Sequence, residues 1–229
     1  MEYPHNRPYT ADDLVRIITL LRDPVNGCPW DKVQTHTSIR MNFLEEAYEA
    51  VDALDLDDPV LMCEELGDVL MQVAFHTCME QETGRFTWEQ VCDGVCQKLI
   101  ERHPNIFGTQ PGYEGITDWD ALKNKEKGRR TLADDLESVP RAMPALMRAA
   151  KLQKRAARHG AALQGADAAA LADAAERLQT AQPASAQAEQ AVGELLFAAA
   201  NLARQAGVDP EQALQKANEA FCTAAGPVA

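Results

Sequence analysis

Glu45-Glu46-Ala47-Tyr48-Glu49 and, one short connection later, Glu64-Glu65-Leu66-Gly67-Asp68 are the two stretches whose joint reading decides the fold. Between them lies Leu54 to Pro59, where Asp58 can cap a helix and Pro59 suits the first helical position. The segment therefore reads as a tight connection between two antiparallel helices. Measured from its middle, Glu49 lies about as far before as Glu65 lies after, and Glu46 about as far before as Asp68 after. At ~1.5 Å rise per residue the two pairs come nearly level.

Each pair is spaced i, i+3, which puts both carboxylates on one helix face, with Glu45 and Glu64 flanking. The opposite positions are apolar: Ile39, Phe43, Ala47, Val51 and Leu54 on the first helix, Leu66, Val69, Leu70 and Val73 on the second. Carboxylates converging in this way repel one another unless a cation lies between them. Mg²⁺, with Mn²⁺ as an alternative, takes oxygen ligands and commonly bridges a few carboxylates to a substrate's phosphates. A lone E-x-x-E on an amphipathic helix is ordinarily a solvated face. Two such pairs mirrored about a turn point to a metal site.

The 229 residues allow one large domain or two small ones, and 46% hydrophobic content is ample for a core. A net charge of −13 argues against a nucleic-acid-binding surface and against an anionic membrane as partner. Met1 to Thr10 is polar, and no apolar run approaches the ~20 residues of a membrane span, so a cytoplasmic protein is expected. Cys28, Cys63, Cys78, Cys92, Cys96 and Cys222 form no C-x-x-C pair, which predicts reduced thiols and no zinc.

Upstream of the carboxylates, Thr10 or Asp12 opens a helix through Leu14, Ile17, Ile18 and Leu21. The loop from Asn26 to His36 follows, and in it Trp30 either plugs the end of the hairpin or lines a base pocket. Downstream, the second hairpin helix runs from Pro59 towards Glu82, with Gly84 as its stop. Thr87 and Gln90 form a capping box for a further helix with Val91, Val95, Leu99 and Ile100 inward. Lys98 and Arg102, i, i+4 on its outer face, either grip a phosphate together or form a solvated basic pair. Pro104 to Gly115 is loop, Thr117 can cap a segment in which Trp119 and Lys123 share a face suited to a nucleotide, and Gly128 to Ser138 reads as an exposed connection. Pro140 to Arg158 reads as a basic helix ending at His159-Gly160, and Ala- and Gln-rich helix follows. No alternating strand pattern persists, so the expected class is all-α, a helical bundle built on the carboxylate hairpin. His36, His76 and His103 show no shared triad logic.

The chain also carries a worn internal copy. Gly193-Glu194-Leu195-Leu196 resembles Gly67-Asp68-Val69-Leu70, and Pro210-Glu211-Gln212-Ala213 resembles Trp88-Glu89-Gln90-Val91. On that register Asp173 and Glu176 replace the first carboxylate pair, Ala191 and Glu194 the second, and Ala220 and Ala224 stand for Lys98 and Arg102. The copy keeps the helices and loses the chemistry.

From Leu14 to Lys127 the chain resembles the MazG family of nucleoside triphosphate pyrophosphohydrolases. The likeness rests on Leu20-Leu21-Arg22-Asp23-Pro24, Gly27-Cys28-Pro29-Trp30-Asp31-Lys32, Gln34-Thr35-His36, the two carboxylate clusters, Lys98 to His103-Pro104, and Trp119. The segment with Leu146-Met147-Arg148-Ala149 and Lys151-Leu152-Gln153-Lys154 resembles the stretch joining the two repeats of that family. The resemblance implies a MazG-like catalytic repeat over residues 1–130, a linker helix over 131–160 and a degenerate, truncated second repeat over 161–229. It implies hydrolysis of a nucleoside triphosphate to the monophosphate and pyrophosphate by a Mg²⁺-dependent homodimer. Carried over, Glu46, Glu49, Glu65 and Asp68 are metal ligands, and Glu45 supports them or activates water. Lys98 and Arg102 bind phosphates, and Trp119 and Lys123, with Trp30, hold the nucleotide. The alternative expectation is a catalytically weak nucleotide sensor or scaffold. A di-iron bundle would want E-x-x-H motifs, which neither hairpin helix supplies.

Overall fold

The computed structural model describes residues 3–5, 7–104, 106–108, 126–128 and 131–226. The described residues contain helices and no strand, and the chain divides into two compact units, Met1–Ile116 and Thr117–Ala229.

The first unit contains α1 (Ala11–Leu21), a 3₁₀ turn (Asp31–Val33), α2 (Arg40–Asp55), α3 (Pro59–Glu82) and α4 (Trp88–Arg102). The expected caps form. Thr10 and Asp13 make a capping box on α1, Thr87 and Gln90 one on α4, and Asp58 Oδ1 accepts from Val60 N and Leu61 N with Pro59 opening α3. Gly84 ends the turn after α3 at φ +70°, a conformation glycine adopts without steric cost. The core is Ile18, Ile39, Ala74, Phe75, Cys78, Met79 and Trp88, so it gathers around the second half of α3. The first half is left to carry the carboxylates.

Arg22 ties the α1–α2 loop to that core. Only 8% exposed, it forks onto Glu82 at 2.5 and 2.8 Å, donates to the carbonyls of Asp31 and Gln34, and lies over the Phe75 ring. The loop folds back tightly where Cys28 N reaches Leu21 O. A Cβ on Gly27 would stand 2.4 Å from the carbonyl oxygens of both Leu21 and Asp23, so only glycine fits.

Three expectations about burial are corrected. The face of α2 that packs on α3 is Ala50 and Ala53, while Val51 and Leu54 are exposed, as are Leu66 and Leu70 on α3. Periodicity explains it: Ala50 and Ala53 lie one turn beyond Glu46 and Glu49 on the same stripe, so turning those carboxylates towards α3 carries the alanines in and swings Val51 and Leu54 out. On α4, Val95, Leu99 and Ile100 are exposed within this chain, and the inward apolar positions are Trp88, Val91 and Cys92 at its start. The stretch Gly128 to Ser138 is not merely a connection, since Leu132–Glu137 is helical and Asp135 is 1% exposed.

The second unit contains α5 (Leu132–Glu137), α6 (Ala145–Arg158), α7 (Ala168–Thr180), α8 (Ala186–Gln205) and α9 (Pro210–Ala225). α6 starts at Ala145, later than the expected Pro140, because Pro144 occupies its N-cap. Asp135 fastens α5 to α6: Arg155 donates to its carbonyl and to Ser138 Oγ and forms an ion pair with its carboxylate, and His159 Nε2 lies 3.1 Å from Asp135 Oδ2. Gln153 Nε2 donates to Phe197 O at 2.7 Å, joining α6 to α8. α7 and α8 form a second hairpin over Ala174, Ala191, Ala198 and Ala200, all fully buried. No helix among the described residues is long and apolar enough to cross a membrane, and all six cysteines are unpaired.

Candidate metal centre

The alanine contact between α2 and α3 sets the spacing of the side chains beside it. Small residues at a helix crossing let the backbones approach, and Glu46, Glu49 and Glu65 present carboxylate oxygens that all lie within 4.8 Å of one another. Asp68, one turn on from Glu65, stands outside this trio. Its side chain is a methylene shorter, but its charge still reaches Glu46 and Glu65. Glu45 is exposed beside them.

Desolvation and mutual repulsion shape the electrostatics of the cluster. Partial burial pushes the Glu46 carboxyl above the ordinary glutamate range, opposed by a hydrogen bond from Gln72 and reinforced by Asp68, Glu49 and Glu45. Partial desolvation likewise raises Glu65, with Glu64, Asp68 and Glu46 adding to the shift. A hard divalent cation relieves both effects, and the all-oxygen donor set suits Mg²⁺ or Mn²⁺ rather than a thiolate- or imidazole-preferring metal.

Gln72 belongs to the site, although the carboxylate motifs alone do not reveal it. It is 7% exposed, its Nε2 donates to Glu46 Oε1 at 3.3 Å, and its Oε1 has no partner. A buried amide oxygen without a donor is costly, and it belongs to the residue that hydrogen-bonds Glu46 of the carboxylate trio. The sequence signal was available: Glu65, Asp68, Gln72, His76 and Glu80 continue a single polar stripe along α3.

Further along that stripe, the structure pairs two histidines that showed no common logic in sequence. His36 and His76 stack at 5.0 Å with rings 7° from parallel, and their Nδ1 atoms are 2.7 Å apart. His36 Nε2 lies 2.5 Å from Glu80 Oε1, and Arg85 completes the chain on Glu80. One of the two Nδ1 atoms donates to the other, while His36 Nε2 is turned to the Glu80 carboxylate. Burial, then the neighbouring His36, lowers the affinity of His76 for a second proton.

The other expected site residues are dispersed. Trp30 is 56% exposed and meets Phe75 edge-on at 6.5 Å. Lys98 is exposed and Arg102 half-buried on the last turns of α4. Trp119 and Lys123 lie outside the described residues. In the α7–α8 hairpin, Arg177 donates from Nε to Asp173 Oδ2 at 2.8 Å and from Nη2 to Glu194.

Known proteins share this arrangement of sequence. The family model for the MazG nucleotide pyrophosphohydrolase domain matches residues 34–107. The chain is 41% identical over 219 residues to the nucleoside triphosphate pyrophosphohydrolase of Escherichia coli K12, covering 92% of this chain and 83% of that one. It is 39% identical over 212 residues to the nucleoside triphosphate pyrophosphohydrolase/pyrophosphatase MazG of Thermotoga maritima, covering 92% and 82%. A Mycobacterium tuberculosis nucleoside triphosphate pyrophosphohydrolase is 34% identical over 154 residues, 66% of this chain and 46% of that protein.

Proposed function

The chain belongs to the MazG family of nucleotide pyrophosphohydrolases, and from that premise we propose that it cleaves nucleoside triphosphates to the monophosphate and pyrophosphate at the α2–α3 hairpin. The observation that carries this reading is the meeting of Glu46, Glu49 and Glu65 within 4.8 Å, flanked by the charge of Asp68 and the orphaned amide oxygen of Gln72. These residues would hold Mg²⁺, with Mn²⁺ as a substitute. The bound cation would neutralise charge on the phosphate oxygens. Glu45, exposed beside the trio, takes the proton of the attacking water. The water's oxygen bonds to the α-phosphorus as the bond from that phosphorus to the bridging oxygen breaks. Pyrophosphate leaves, and Lys98 and Arg102 are the groups proposed to stabilise it. Trp30, Trp119 and Lys123 are proposed to hold the nucleoside.

The exposed apolar side chains of Val51, Leu54, Leu66 and Leu70 support a homodimer in which a second copy covers this face. Unpaired cysteines and acidic charge fit work on the cytoplasmic nucleotide pool, with no nucleic acid or membrane as partner.

Pyrophosphate release from a panel of nucleoside triphosphates with Mg²⁺ tests the reading. Wild type should release it, and Glu49→Gln should reduce the rate by at least roughly a hundredfold, because one ligand of the cluster loses its charge. Mg²⁺-dependent nucleotide binding without release would instead identify a sensor or scaffold.

A further inference from the structure

The second unit holds a cleft that the hydrolytic site does not use. It encloses about 640 Å³ and is lined by Lys151 and Lys154 of α6 and Arg204 at the end of α8, over Met143, Met147 and Val208. That volume lies within the ~300–1,000 Å³ of small-molecule sites.

The charge around it is unusual for this protein. The whole chain carries −13, yet α6 from Ala145 to Arg158 holds Arg148, Lys151, Lys154, Arg155 and Arg158 and no acidic residue. Arg155 is engaged by Asp135. Lys151 is half-buried and Lys154 exposed, and neither has a carboxylate within ion-pairing distance among the described residues. Arg204 donates from Nε to Asn201 Oδ1 at 2.9 Å. Two carboxylates border the cleft, and both are turned to backbone. Asp209 Oδ1 accepts from Glu211 N and Gln212 N to cap α9, and Glu211 Oε2 accepts from Met147 N. Three cations lining one concave surface repel one another, as the carboxylates of the first hairpin do with the sign reversed.

We infer that this cleft binds a small molecule bearing a diphosphate group, the phosphates on Lys151, Lys154 and Arg204 and any organic part over Met143, Met147 and Val208. The charge selects the class: a free or terminal diphosphate carries about three negative charges near neutral pH and matches three cations, whereas a phosphate monoester carries about two and leaves one cation unmatched. The apolar floor accommodates a nucleoside but does not require one, so inorganic diphosphate and a nucleoside diphosphate share the recognised chemistry. The cleft needs no metal, and the inference stands apart from the hydrolytic reading.

That independence defines the experiment. The full-length protein in EDTA is titrated calorimetrically with inorganic diphosphate, ADP and AMP, and so is the Lys151→Gln/Lys154→Gln variant. Saturable binding of both diphosphates is expected, with AMP and the double variant each weaker by roughly tenfold or more. ADP tighter than inorganic diphosphate assigns the natural ligand to the nucleotides; equal affinities assign recognition to the diphosphate alone. Absence of saturable binding, AMP bound as tightly as ADP, or affinity unchanged in the variant overturns the inference. Circular dichroism checks folding, and Lys154→Glu, at an exposed position, repeats the test should the double variant unfold. Hydrolysis plays no part in the readout, so a chain without pyrophosphohydrolase activity would still pass or fail it.

Discussion

At the scale of single residues, Gln72 and His76 have distinct roles on one helical stripe. Gln72→Leu removes the only hydrogen bond described to Glu46, and divalent-ion affinity should fall roughly tenfold, measured with Mn²⁺ by electron paramagnetic resonance in the absence of nucleotide. An unchanged affinity would reduce Gln72 to packing. His76 makes stability depend on pH. Its folded-state pKa lies below the ordinary value near 6.5, so between the two values the unfolded chain binds more protons. Stability should therefore fall as pH drops from about 6.5 through that lowered value, and His76→Phe, stacked on His36 and Phe43, should flatten the dependence in thermal melts. Glu46 and Glu65 act in the opposite sense. Their raised pKa values mean that the folded state binds more protons just above the normal carboxylate range, so without metal their ionisation weakens the fold as pH rises through that window. Glu46, Glu49 and Glu65 were readable as a cluster because helical periodicity and a short turn determine their meeting. The His36–His76 contact was not, because it joins a loop to the middle of α3 across 40 residues and depends on where Arg22 pins that loop.

At the scale of elements, the hairpin was legible almost to the residue. Asp58 and Pro59 at its turn and Gly84 past its end are local signals that need no tertiary context. Asp58→Ala should cost about 1 kcal/mol, seen as a lower denaturant midpoint with the slope unchanged. A larger loss of metal affinity than of stability would show that the turn also sets the register of the carboxylates. Which faces are buried was less legible. Val51, Leu54, Val95 and Leu99 have the spacing of core residues and are exposed in the single chain, whereas the alanines that carry the α2–α3 contact have little hydrophobic weight in sequence. Likewise α5 is only six residues long, and its buried Asp135 reads as solvent-facing until Arg155 and Ser138 are found around it.

At the scale of the molecule, those exposed apolar residues become an argument about assembly. Leu66→Glu should convert the proposed dimer to a monomer in sedimentation equilibrium while leaving helical content unchanged, because Leu66 is 50% exposed and outside the core cluster. A dimer that survives this change must use another face. The two hairpins also differ in how their acidic residues are balanced, with Arg177 lodged between Asp173 and Glu194. A guanidinium fastened to its own chain sits there at an effective concentration that no change in the surroundings can dilute. The later hairpin is thus balanced within its own chain, whereas the earlier one, on the proposed reading, would draw its cation from solution. On that reading one half of the protein would answer to the supply of divalent ions around it, while the other holds its acidic residues to a cation of its own chain.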